Sequence, residues 1–231
     1  MAKSDDTNYK KILSALLGIS LLAGSAYLLG WSSFFTVKHI TVIGAPTNAD
    51  AGIIEQVSQI DQGEKMARLE PRAASALLQK IVWLDHSSIA RSWLNGSVVI
   101  RVWPRTPVAT FNGKLIDQSG NVFELPNFIS GMLPILIAKD HTSAQFAISL
   151  LTQLPTLLRS KLVAITVIGL NSASLSLRQN AQGNGKILEV VWGDASNMDL
   201  KVKVYQALIA LPENVAISQM DLSAPHAPVV K

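Results

Sequence analysis

H86-S-S-I-A-R-S-W-L-N-G-S-V-V-I-R-V-W103 reads as two extended segments joined by a tight turn. Valine, isoleucine and tryptophan crowd residues 97–103, and such side chains fit a pleated, half-buried surface. Asn95-Gly96 is a turn dipeptide that favours a hairpin. The hairpin fixes two neighbouring strands, and the residues before it decide what covers them.

Toward the N-terminus, Pro71 suits the first turn of a helix, because its missing N–H would be unpaired there in any case. Ala74, Leu77, Leu78 and Ile81 give that helix a buried stripe. Upstream, T47-N-A-D50 fits a capping box, and Ile53, Val57 and Ile60 follow at i, i+4 and i+7, a short amphipathic helix stopping near Gly63. T36-V-K-H-I-T-V-I-G44 is rich in β-branched residues and closed by Gly44 and Pro46, which reads as a strand ending in a turn. Residues 34–107 therefore form a β-α-α-β-β unit.

Before this unit stands I12-L-S-A-L-L-G-I-S-L-L-A-G-S-A-Y-L-L-G30, whose only ionisable side chain is that of Tyr27. As a helix it reaches roughly 28 Å, close to the hydrocarbon thickness of a bilayer. A transmembrane helix is expected at residues 12–31, with a short cytoplasmic tail at 1–11. Lys10 and Lys11 abut its N-terminal end, which puts the N-terminus in the cytoplasm and the bulk outside, and Trp31, Phe34 and Phe35 fall at the far interface. A cleaved secretory signal is the competing interpretation, with A23-G-S-A26 as small residues for a peptidase. The apolar run, however, exceeds the ~7–15 residues of a signal core and continues past that point.

Beyond the hairpin, Pro104 and Pro107 interrupt the backbone donors and mark an edge or joint. V108-A-T-F111 resumes as strand, Asn112-Gly113 turns it, and residues 114–125 make another hairpin about Ser119, Gly120 and Asn121. A helix is expected from Ser143 to Arg159, kinked or ended by Pro155. Strands follow at L162-V-A-I-T-V-I168, L175-S-L-R178 and I187-L-E-V-V-W192, with G183-N-G185 turning between the last two. S196-N-M-D199 reads as a second capping box, opening a helix lined by Leu200, Val204, Leu208 and Leu211 and ended by Pro212. V215-A-I-S-Q-M-D-L-S223 is the last strand. The fold class is α+β: a single N-terminal transmembrane helix, the β-α-α-β-β unit, a mixed β domain with flanking helices over 108–223, and a C-terminal tail at 224–231.

Composition removes several classes of function. The 231 residues carry 20 Lys and Arg against 16 Asp and Glu, a net charge of +4 without a basic run, so no nucleic-acid partner is expected. The absence of cysteine excludes a disulfide scaffold, thiolate catalysis and zinc–thiolate sites. D85-H86-S87-S88 gathers triad-type residues, but neighbours in an extended segment point to opposite faces and triads are assembled from separate elements. His39, His86, His141 and His226 sit on separate elements without metal-ligand spacing. G183-N-G-K186 lacks the strand-loop-helix setting and the hydroxyl of a phosphate loop. Asp117 is expected to organise its own turn. No catalytic, cofactor-binding or metal residue is therefore assigned, no small-molecule substrate is expected, and function is sought in surfaces. An exported cell-wall enzyme is disfavoured for that reason. An envelope transport or assembly component would need many alternating transmembrane strands, which helices after residue 125 interrupt.

In order along the chain, F35-T-V-K-H-I-T-V-I-G44, I89-A-R-S-W93, V99-I-R-V102, R105-T-P-V-A109, I116-D-Q-S-G-N-V-F123, W192-G193 with Lys201, and Q219-M-D-L-S-A-P-H-A-P-V-V230 resemble the FtsQ/DivIB cell-division proteins. Leu94 stands where that family commonly has Pro, and Pro104 replaces a usual Glu. The resemblance implies a single-pass protein of the bacterial inner membrane at the division septum, with a POTRA domain, a β domain and no enzymatic activity. It implies a scaffold whose β domain ends in an edge that adds a strand from an FtsB/DivIC-type partner, itself associated with FtsL. Carried over by motif, the binding edge is Gln219, Met220, Asp221, Leu222, Ser223 and Ala224, with Lys201 on the neighbouring helix.

Overall fold

The computed structural model describes residues 4–31, 35–129, 131, 133–179 and 185–231. The chain divides into two compact units, residues 1–104 and 105–231.

The first unit opens with helix α1 (Ser4–Trp31), 28 residues long and continuous. Ile12, Leu13, Leu16, Leu17, Leu21 and Leu22 are all exposed on it. Among the described residues no helix is long and apolar enough to cross a membrane, so the fold itself does not establish the anchor expected at 12–31. Strand β1 (His39–Ile43), helices α2 (Asn48–Ser58) and α3 (Pro71–Leu78), and strands β2 (Leu84–Ser92) and β3 (Ser97–Pro104) follow in the expected order. β3 lies in the middle of the sheet, parallel to β1 and antiparallel to β2. Val98, Ile100 and Val102 alternate inward from β3 onto Ile54, Met66, Leu69 and Leu78. Such fully buried aliphatic side chains each contribute about 1.5–3 kcal/mol.

Local signals act here largely as expected. Thr47 Oγ1 accepts from the Asp50 amide at 3.1 Å and donates to Asp50 Oδ2 at 2.6 Å, capping α2. Pro71 occupies the first turn of α3. The buried face of α2 is shifted by one position: Ile54 is fully buried, whereas Ile53 is exposed. The helix also stops earlier than Gly63, because Gln59 takes the left-handed conformation (φ 54°). Gly44 has φ +92°, and a Cβ there would run into the Val102 carbonyl, so only glycine lets β1 leave the sheet at that point.

Among the described residues the second unit is a nine-stranded sheet of order β12-β11-β10-β9-β8-β7-β4-β5-β6. Its strands are β4 (Pro107–Phe111), β5 (Lys114–Asp117), β6 (Val122–Phe123), β7 (Ile135–Ile137), β8 (Leu162–Gly169), β9 (Ser172–Arg178), β10 (Ile187–Gly193), β11 (Gln219–Asp221) and β12 (Val229–Val230). Helices α4 (His141–Gln153), α5 (Thr156–Arg159) and α6 (Met198–Ile209) complete it. Leu175, Leu177, Leu188, Val190 and Trp192 share one core with Leu150, Leu151 and Tyr205 of the helices. By strand alternation Ser172, Ser174, Ser176 and Arg178 then occupy the face opposite that core.

Pro155 ends α4 and precedes the short α5, so the single helix expected from Ser143 to Arg159 is two. Asp140 starts α4 by accepting from the Ser143 amide at 2.8 Å. The box expected at Ser196 does not form: the Ser196 amide and hydroxyl both donate to Asp194 Oδ1, and Asn197 caps α6 in the left-handed conformation. The long strand expected over 215–223 is confined to β11, and the expected tail at 224–231 carries β12. The turn at Gly183 and Asn184 lies outside the described residues.

Candidate partner-binding edge

β11 runs parallel to β10, with Glu189 N donating to Ser218 O at 3.0 Å and Leu222 N to Val191 O at 2.8 Å. Met220 and Leu222 are buried in the core, Gln219, Ser223 and Ala224 are exposed, and Asp221 is intermediate. These six residues form one strand and the start of one turn. Ala227 N donates to Ala224 O at 2.9 Å, with Pro225 at the second turn position, where its fixed φ is favourable. The turn sends the chain back as β12, antiparallel to β11, with Met220 opposite Val230 and Asp221 opposite Val229. The sheet's outer strand on this side is thus β12 and not β11, because a second strand has taken the edge on which the sequence placed the binding residues. Nothing but the valine pair after Pro228 marks it in the sequence.

Gln219 N donates to Lys231 O at 3.1 Å and Lys231 N to Gln219 O at 3.0 Å. Antiparallel alternation then turns the Val230 N–H and C=O away from β11, toward the open side. Pro228 has no N–H to offer. Val229 and Lys231 share the face with Asp221 and Gln219, and there a hollow of about 630 Å³ extends from Thr166 and Ile168 across Glu189 to Val229 and Lys231.

Lys201 is brought near this strand but faces inward. It is fully buried, and its Nζ donates to Asp194 O at 2.9 Å and to Asp194 Oδ1 at 3.2 Å. Hydrogen bonds from the Ser196 hydroxyl and amide, then from Lys201, hold the Asp194 carboxyl at about 2, below its ordinary 3.8. Gly193, at φ +75°, fits between them: a Cβ there would lie 3.2 Å from Ser223 Cα and 3.7 Å from Lys201 Nζ. Gly193, Lys201 and Ser223 therefore meet at one point, which braces the end of β11 from inside.

Asp117 organises its turn as expected, accepting from the Ser119 and Asn121 amides at 2.9 and 2.8 Å and from Arg105 Nη1 at 2.8 Å. Burial alone would raise its carboxyl, but the bonds from Asn121 and Arg105 hold it below the usual value. At the triad-like run, His86 Nδ1 lies 2.8 Å from Asp85 Oδ2 and its ring stacks on Trp103 at 4.3 Å. Ser87 turns away and donates to Ser75 Oγ at 3.2 Å. Lys186 donates to the Ala216 carbonyl, tying the start of β10 to the segment before β11.

Residues 35–103 match the POTRA domain of FtsQ type, and residues 108–223 match the C-terminal region of the cell division proteins FtsQ/DivIB. The fold is that of a POTRA-bearing division protein, with a small β-α-α-β-β unit and a mixed β domain. A cell division protein FtsQ from Salinibacter ruber (strain DSM 13855 / M31) is 22% identical over 147 residues, which cover 59% of this chain and 56% of that protein. The chain belongs to the FtsQ/DivIB family, and the match spans a little over half the length of this curated relative.

Proposed function

We propose that this chain is a non-enzymatic scaffold of the bacterial division machinery, and that its β domain binds an FtsB/DivIC-type partner by adding that partner's strand outside β12. FtsL joins through the same partner. The observation that carries this is the outward-facing Val230 N–H and C=O on the sheet's outer strand, since an unpaired edge is a template for a further strand. Gln219, Met220, Asp221, Leu222, Ser223, Ala224 and Lys201 then act one layer behind that edge, holding β12 in place. Residues 12–31 anchor the chain in the inner membrane at the septum, with Lys10 and Lys11 on the cytoplasmic side and the two folded units outside. The apolar run from Ile12 to Gly30 behind Lys10 and Lys11 is what supports that anchor.

Val230→Pro tests the edge cleanly. It removes a donor that faces outward, whereas proline at Gln219 would break the ladder between β11 and β12. The full chain carrying Val230→Pro is expected to keep its thermal midpoint and lose at least tenfold in affinity for the partner's extracytoplasmic segment. Unchanged affinity in the folded variant rejects strand addition at this edge.

A further inference from the structure

A second cavity, of about 550 Å³, opens on the same unit where β4, β7, β8 and β9 come together, away from β12. Arg159 and Arg178 line it with Thr110, Leu133, Ile135 and Leu162, and no acidic residue lines it among the described residues. Arg159 is the last residue of α5, and its Nη2 donates to Leu154 O at 2.8 Å and Thr152 O at 3.3 Å, which fixes the guanidinium plane. Arg178 ends β9 on the face opposite the core. Its amide donates to Lys161 O at 2.8 Å, which fixes the end of the strand. Among the described residues the half-buried Arg178 guanidinium makes no hydrogen bond or ion pair. Glu189 shares its face one diagonal step away, yet no ion pair joins them.

A guanidinium held in a concave site without a counter-ion selects a carboxylate or phosphate, and its fork favours two parallel hydrogen bonds to one such group. The remaining wall is aliphatic, with Ile135 half exposed, so a bare inorganic anion would leave that surface wet. We propose that this cavity is a docking site for a peptide that presents an acidic side chain beside a large apolar one, the carboxylate on Arg178 and the apolar group on Ile135 and Leu133. The site is independent of the strand-addition edge, so either can fail alone.

The test uses the full chain in detergent micelles with arginine Nε–H signals observed by nuclear magnetic resonance. The probes are acetyl-Glu-Phe-Glu-amide, its neutral twin acetyl-Gln-Phe-Gln-amide, and inorganic phosphate. The acidic peptide should shift the Arg159 and Arg178 signals saturably, with the neutral twin and phosphate at least tenfold weaker. Arg178→Gln, read through Arg159, should raise the midpoint at least tenfold. Ile135→Glu, at an exposed position that leaves the core intact, should do the same if Arg178→Gln perturbs folding. No saturable shift, equal binding of the neutral twin, or an unchanged midpoint in both variants overturns the proposal. Phosphate binding as tightly as the peptide overturns the peptide assignment in favour of a free-anion site.

Discussion

Lys201 spends its charge inside the protein, on a carboxylate whose own side chain is 53% exposed. Lysine is almost never fully buried unless paired, so this position reads as surface from sequence alone; its partner seven residues earlier becomes visible only once the loop after β10 folds back. The Trp192-Gly193 motif could be read, but not that Gly193 leaves room for Ser223. Lys201→Met keeps most of the stem's volume and deletes the donors, and is expected to cost about 1–3 kcal/mol in denaturant unfolding. A native midpoint would show that the brace contributes nothing. Asp194 adds a pH signature. Its folded-state value of about 2 lies below the ordinary 3.8, so the folded state binds fewer protons than the unfolded state between those values. Its contribution is complete above about pH 4 and is lost as pH falls toward 2. The stability gap between native chain and Asp194→Asn should therefore close over that window, and a gap constant from pH 5 to 2 would contradict it.

Elements set by local chemistry were legible: the Asn95-Gly96 turn, Pro71 at the start of α3, and the Thr47 cap all act within a few residues of themselves. Thr47→Ala should cost about 1 kcal/mol, measured by thermal unfolding, because it leaves a first-turn amide without its acceptor. Ser196 carries the same pattern and fails as a cap because Asp194, two residues upstream, takes both its amide and its hydroxyl. The choice of Ile54 over Ile53 was not legible, since both fit a helical stripe and packing against β3 decides between them. β12 escaped for a different reason. Two valines have no periodicity, and they are a strand only because β11 supplies the partner, so from sequence they fall in a tail.

At the scale of the whole molecule, the family resemblance rested on the order of motifs along the chain, and the matches over 35–103 and 108–223 bear it out. The proposal that the chain works at the septum leads to a cellular expectation. A fluorescent fusion should gather at the division site in dividing cells and should lose that position when residues after Val215 are deleted, with diffuse envelope signal from the intact chain counting against the proposal. The nine-stranded sheet ends on both sides in strands of two residues, β6 and β12. Edges that short give a second copy of this chain little backbone to pair with, and Pro228 removes a further donor beside one of them. The sheet is therefore poorly suited to stacking on itself into open-ended fibres. Any strand that does add takes its affinity from the few backbone groups at Val230 and its selectivity from side chains, which makes the edge selective without making it sticky.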